Sequence, residues 1–145
     1  QISRLVTLKL TYTFMKKILL MTLIVCGLTA CTSLPQSANN FIRTYFAHTT
    51  VQEVERESDT NGYSVKLKDR TEIEFAENGD WQKVEAEDGN SIPTDFFPKK
   101  IADYAAERSF IIESISKTNI GYKVEIVGSK SALFFNKAGD PIGNY

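Results

Sequence analysis

Polar and apolar positions along residues 34–145 change period in the same order twice. Ala38, Phe41, Ile42, Tyr45 and Phe46 fall at i, i+3, i+4, i+7 and i+8, which predicts one buried helix face. The period then drops to two in Gly62-Tyr63-Ser64-Val65-Lys66-Leu67, as in a half-buried strand. A second strand follows over 72–75, then the turn Asn78-Gly79-Asp80. The series returns with Phe97, Ile101, Tyr104 and Ala105, then Gly121-Tyr122-Lys123-Val124-Glu125-Ile126, a strand over 132–135 and the turn Ala138-Gly139-Asp140. Each series opens on an apolar-Pro pair, Leu34-Pro35 and Ile92-Pro93. Matching residues lie 58 apart at these prolines, 59 at Tyr45/Tyr104 and Tyr63/Tyr122, and 60 at Gly79/Gly139, a drift that small loop insertions explain. Residues 51–57 and 110–115 each add a further strand. The expected class is α+β: two tandem helix-plus-antiparallel-strand repeats, 35–91 and 92–145, with the helices on one face of the sheet.

The apolar faces suggest a register. Pairing Leu67 with Ile73 and Val65 with Phe75 turns all four inward and leaves Asp69-Arg70-Thr71 as the loop. Lys68 then faces Glu72 and Lys66 faces Glu74 on the outer side, a ladder of opposite charges. Asn78-Gly79 favours a two-residue type I′ turn, which sets Val84 opposite Ile73 and points Trp81 and Lys83 outward. The same reasoning pairs Ile126 with Leu133 and Val124 with Phe135, and gives the outer face Val127, Ala132, Phe134 and Pro141. For the second helix, Asp95 is the expected N-cap, with Pro98 in the first turn.

The chain's start changes the electrostatic picture. Met15-Lys16-Lys17, the apolar run of residues 18–28 and the small residues before Cys31 have the parts of a secretory signal. The run is too short for the ~20 residues of a membrane-spanning helix. Leu28-Thr29-Ala30-Cys31 resembles the bacterial lipobox. The resemblance implies cleavage after Ala30 and acylation of Cys31, with residues 15–30 as signal peptide and 31–34 as an acylated tether. Residues 1–14 are expected to be upstream translation ahead of a start at Met15. Removing residues 1–30 takes away four basic groups and no acidic one, which leaves 13 basic against 18 acidic residues and a formal charge of −5. That balance argues against nucleic acid as a partner and against electrostatic docking on anionic lipid. Cys31 is then the lone cysteine, so no intramolecular disulfide can form. The tether is short, and no acidic run follows Cys31. The expected location is therefore the bacterial cell envelope, lipid-anchored, with the periplasmic side favoured.

Leu/Ile-Pro, amphipathic helix, Gly-Tyr strand, apolar-x-Phe strand and Gly-x-Trp turn, in that order, resemble the PepSY-like, β-lactamase-inhibitor-protein-like domain of bacterial envelope lipoproteins. The resemblance spans nearly all of residues 34–145. Pro141 stands where the first half has Trp81, and Asp69-Arg70 stands where Asp-Gly is the family's pattern. The resemblance implies a non-enzymatic binding or inhibitory module whose contact surface is a concave sheet.

The residues offer little for catalysis. His48 is the lone histidine, and with no second histidine and no nearby cysteine a metal or catalytic role is not expected of it. No nucleophile elbow or phosphate-binding glycine loop occurs. Glu72 and Glu74 alternate opposite lysines, as in a solvated salt ladder rather than a catalytic pair. Glu77-Asn78-Gly79-Asp80 and Glu87-Asp88-Gly89-Asn90 lack the alternating ligands and terminal glutamate of a calcium loop. No enzyme activity, cofactor or metal is expected. The candidates that remain are Trp81, Val127, Phe134 and Pro141, read as an apolar partner-binding patch on the sheet face opposite the helices. The expected partner is an unidentified envelope protein, with the membrane engaged through Cys31. The competing readings are a small-ligand binder with a pocket between the repeats and a structural envelope spacer.

Overall fold

The structure, a computed structural model, describes residues 33–144. The expectations for residues 1–14, the signal peptide, the cleavage site at Ala30 and the acylation of Cys31 lie outside the described residues.

Two helices and eight strands follow one another along the chain: α1 (Gln36–Tyr45), β1 (Val51–Arg56), β2 (Tyr63–Leu67), β3 (Glu72–Phe75), β4 (Trp81–Glu85), α2 (Lys99–Glu107), β5 (Ile112–Lys117), β6 (Gly121–Ile126), β7 (Leu133–Asn136) and β8 (Pro141–Asn144). The class is α+β, and all strands form one antiparallel sheet in chain order, β1 to β8. Val54, Val65, Ile73, Val84, Ile115, Val124 and Leu133 form a single cross-strand row. All but the edge residue Val54 are buried, and they share one cluster with Ala38, Ile42 and Phe46 and with Ile101 and Ala105. Burying a large aliphatic side chain of this kind contributes about 1.5–3 kcal/mol, so this row and its helical partners dominate stability. Phe41 of α1 meets Phe75 edge-on at 5.7 Å, and Tyr104 of α2 meets Phe135 edge-on at 5.3 Å.

The register differs from the expected one by two residues in both halves. Val65 pairs with Ile73, and Tyr63 with Phe75; Val124 pairs with Leu133, and Tyr122 with Phe135. A shift of two keeps every side chain on its expected face, so alternation alone cannot tell the two registers apart. The loop decides. Arg70 takes a positive φ of 69° and its amide bonds to Leu67 O, which closes a three-residue loop over 68–70 and returns Thr71 to the sheet as Leu67's partner. Lys66 therefore faces Glu72, and Ser64 faces Glu74.

The turn after β3 is also not a two-residue one. The Gly79 amide bonds to Ala76 O and the Ala76 amide to Asp80 O, with Gly79 at φ +85°. This is a three-residue loop closed by a left-handed residue. Gly139 repeats it with bonds to Asn136 and the same φ. A Cβ on Gly79 would lie 2.9 Å from Pro35 Cβ, and one on Gly139 would lie 2.9 Å from Pro98 Cβ. Each hairpin turn thus sits against the start of a helix. The Gly-Tyr motif has a related cause, because a Cβ on Gly62 or Gly121 would run into the carbonyl oxygen of Phe75 or Phe135.

The second helix starts later than expected. Pro98, not Asp95, immediately precedes it, and no side chain caps it. Phe97 is buried ahead of the helix rather than on its face.

Candidate functional site

The two sides of the sheet differ in chemistry. Opposite the buried row's side, a first row runs Glu53, Lys66, Glu72, Glu85, Ser114, Glu125. A second runs Glu55, Ser64, Glu74, Lys83, Ser116, Lys123, Phe134, Gly143. We call this the open side. Its centre is β5, which carries only the short Ser114 and Ser116, flanked by long charged side chains from β4 and β6.

Those charged chains are organised. Lys83 Nζ lies 2.5 Å from Glu85 Oε2, and Lys123 Nζ lies 2.6 Å from Glu125 Oε1. Ser114 Oγ donates to Glu125 Oε2 at 2.6 Å and is almost wholly covered. Lys66 reaches Glu72 at 3.3 Å. The Lys123 ammonium and the Ser114 hydroxyl, which both donate to it, hold the Glu125 carboxyl below the usual carboxylate range, against a smaller opposing effect of burial. The hydrogen bond to Glu85 raises Lys83 above the usual lysine value. Among the described residues, Glu53, Glu55 and Glu74 belong to no ion pair.

Of the four apolar candidates, the structure leaves two on this side. Phe134 faces Lys123 and Gly143 and is half-buried. Alternation from buried Ile126 turns Val127 the same way, also half-buried. Trp81 is a correction. It pairs with Phe75, and the extra residue Gln82 forms a bulge before Lys83 pairs with Glu74. Lys83 points outward as expected, but the bulge returns Trp81 to the Phe75 side. There it meets Phe96 edge-on at 5.1 Å and lies near-parallel to Phe41 and Tyr122 at 6.4 and 6.3 Å, with Lys117 Nζ 4.4 Å above its ring. Partial burial lowers the Lys117 pKa from the usual lysine value. Pro141 is corrected for the same reason. A bulge in the matching place pairs it with Phe135, exposed, on the core side.

The aromatic knot around Trp81 was missed from the sequence. It joins α1, β4, the segment before α2, and β6 through half-buried rings. The available signal was Phe96-Phe97 beside the proline of the second series.

Clefts flank the N-terminal part of the open side. One of about 380 Å³ is lined by Lys66, Arg70, Glu72, Glu85 and Glu87 among others. Another of about 420 Å³ is lined by Glu57, Asp59, Tyr63, Glu74 and Gln82 among others. His48, exposed beyond α1, lies 3.1 Å from Asp69. Among the described residues no group of three or more His, Cys, Asp or Glu side chains could hold a metal ion, and no helix is long and apolar enough to cross a membrane.

A family model described as "Putative beta-lactamase-inhibitor-like, PepSY-like" matches residues 29–72 and 61–142. The chain belongs to this PepSY-like family. No curated protein matches it. Among solved structures it is similar to a Bacteroides vulgatus protein described as a "putative periplasmic protein of unknown function", with a TM-score of 0.69 and 25% identity over 78% of this chain and 92% of that one. It is also similar to a "putative calcium-regulated periplasmic protein" from Bacteroides thetaiotaomicron, with a TM-score of 0.68 and 23% identity over 79% of this chain and 91% of that one. A further Bacteroides vulgatus "putative periplasmic protein" gives a TM-score of 0.66 and 23% identity over 77% and 90%. Neither the family nor these structures is described as an enzyme.

Proposed function

We propose that the chain is a non-enzymatic, protein-binding module of the bacterial envelope on the periplasmic side, anchored through an acylated Cys31, and that it engages its partner with the open side of the sheet. We read its two halves as copies of one PepSY-like unit, with both helices on the sheet's other face. The observation that carries this reading is the open side itself. Its rows extend across the sheet's strands, and apart from the covered Ser114 its charged and hydrogen-bonding side chains remain at least partly accessible from β1 to β6. A surface of fixed strands bearing alternating charges, with one aromatic at its end, suits recognition of another protein more than chemistry on a small molecule. The periplasmic wording attached to the similar structures supports the location. The β-lactamase-inhibitor likeness is one of family description and makes inhibition a narrower version of the same proposal.

The test is crosslinking of intact envelopes with photoreactive groups at position 116 on the open side and, separately, at position 103 on α2. A defined protein adduct at position 116 that is absent at 103, and is lost with Phe134→Lys, is the expected result. Adducts only at 103 would overturn the choice of face. The two clefts described above are formed by the N-terminal half, not at the junction of the halves where the small-ligand reading places its pocket.

A further inference from the structure

We propose that the partner docks a lysine- or arginine-bearing segment on the β1–β3 end of the open side, with its apolar neighbour against Phe134 at the β7 end. This rests on the reading of the open side as the contact face and adds the partner's chemistry and orientation. The argument is one of charge complementarity. The two rows hold six glutamates and three lysines, a net charge of −3. The excess is not spread evenly. Glu53, Glu55, Glu72 and Glu74 sit on β1 and β3, with only Lys66 between them, whereas β4 and β6 each carry one lysine paired with one glutamate of the same strand.

The lysines of this side are therefore already neutralised where they stand, and the carboxylates left over are at one end. Glu53, Glu55 and Glu74 are exposed and outside every ion pair among the described residues. Lys66 faces Glu53 and Lys83 faces Glu74, but each is bonded to another glutamate, so an incoming cation would relieve the repulsion that remains. The same charge disfavours the other obvious occupants. A second copy would bring an equally acidic face, and anionic lipid or nucleic acid would be repelled. At the far end Phe134 stands beside Lys123, so the surface passes from anionic to apolar across the sheet. A partner segment with basic residues followed by an apolar one matches that order, and the asymmetry allows one direction of docking only.

The test uses the full chain and two fluorescent peptides of equal length and spacing, one with lysines ahead of a phenylalanine and one with glutamates in their place. The lysine peptide is expected to bind, and to weaken about tenfold or more between low salt and about 0.3 M salt as screening rises. The glutamate peptide is expected not to bind. The variant Glu53→Lys/Glu55→Lys/Glu74→Lys breaks no ion pair, so its melting temperature is the check on folding. It should weaken the lysine peptide about tenfold or more. The same change of charge away from this side, Asp95→Lys/Asp103→Lys/Glu107→Lys, should leave binding within about twofold. Equal loss with both triple variants would show an effect of net charge alone and overturn the proposal, as would equal binding of the two peptides. The envelope crosslink separates the two levels of the reading. If the open-side adduct survives Glu53→Lys/Glu55→Lys/Glu74→Lys but is lost with Phe134→Lys, the contact face stands and the cationic segment falls. If adducts form only at position 103, the face falls with it.

Discussion

The N-terminal half, α1 with β1 to β4, and the C-terminal half, α2 with β5 to β8, share their element order and the positions of their bulges, yet differ where the sheet treats them differently. Register shifts fall between Val51 and Glu53 and between Glu74 and Phe75 in the first half. In the second they fall between Ile112 and Ser114 and between Phe134 and Phe135. The strand equivalent to β4 is β8. The first lies in the middle of the sheet, paired with β5, and its Trp81 ties the halves together. The second is an edge, and Pro141 opens it where a missing amide costs nothing. Likewise β1, an edge, is mostly exposed and carries Glu53, Glu55 and Arg56, charges that discourage another chain from pairing with it. Its central counterpart β5 carries Ser114 and Ser116 instead. The difference teaches that position in the sheet, rather than position in the series, chose these residues.

This comparison can be broken in stages. Phe75→Ala and Phe135→Ala should each lower stability by about 3–5 kcal/mol in chemical denaturation, since both rings are buried against a helix aromatic. Because both lie in one cluster, a single transition should move in each case. Two separate transitions would mean the halves are independent. Trp81→Ala and Pro141→Ala should separate the halves most clearly. The former should cost about 2–3 kcal/mol, discounted from a full ring for its exposure, and the latter stay within about 0.5 kcal/mol. Equal effects would remove the distinction between centre and edge.

Gly79→Ala and Gly139→Ala should each cost about 1–2 kcal/mol by thermal melting, from the left-handed φ and the approach to Pro35 or Pro98, with Gly79→Ala the larger because its Cβ would also meet Ser37 Oγ. The smallest effect concerns pH. Because the folded-state pKa of Glu125 is depressed, the unfolded chain binds the proton more readily. Its contribution is present above the unfolded value and lost as pH falls through the lower folded one. Glu125→Gln should flatten stability against pH on the acid side, by less than about 1 kcal/mol given its partial exposure. Unchanged curvature between wild type and variant would show that the pair with Lys123 contributes nothing to folding.

Much of this was legible in the residues. Strand and helix faces follow from periodicity, and the buried cluster contains Ala38, Ile42, Phe46, Val65, Leu67, Ile73 and Val124, as the apolar faces implied. The register was not legible because shifts of two leave those faces unchanged. Only the loop geometry at Arg70, a non-glycine residue with positive φ, distinguishes them. Trp81 was misplaced because a bulge is a one-residue event that no alternation pattern announces. The open side was expected to join a ladder of charges in the first half to an apolar patch. The ladder is there and the patch is smaller, since two of the four apolar candidates turned to the other side and the two that stayed lie at one end.

The sheet's strand order has a consequence for how the chain reaches this state. Each strand pairs with the one made just before it, without a crossover, so the contacts that build the sheet are mostly close in sequence. Only the join between β4 and β5 must wait for an intervening stretch, residues 86–111 with α2 inside it. A chain wired this way has little loop-closure entropy to overcome at each step, and its nucleation can begin before its last residues are present.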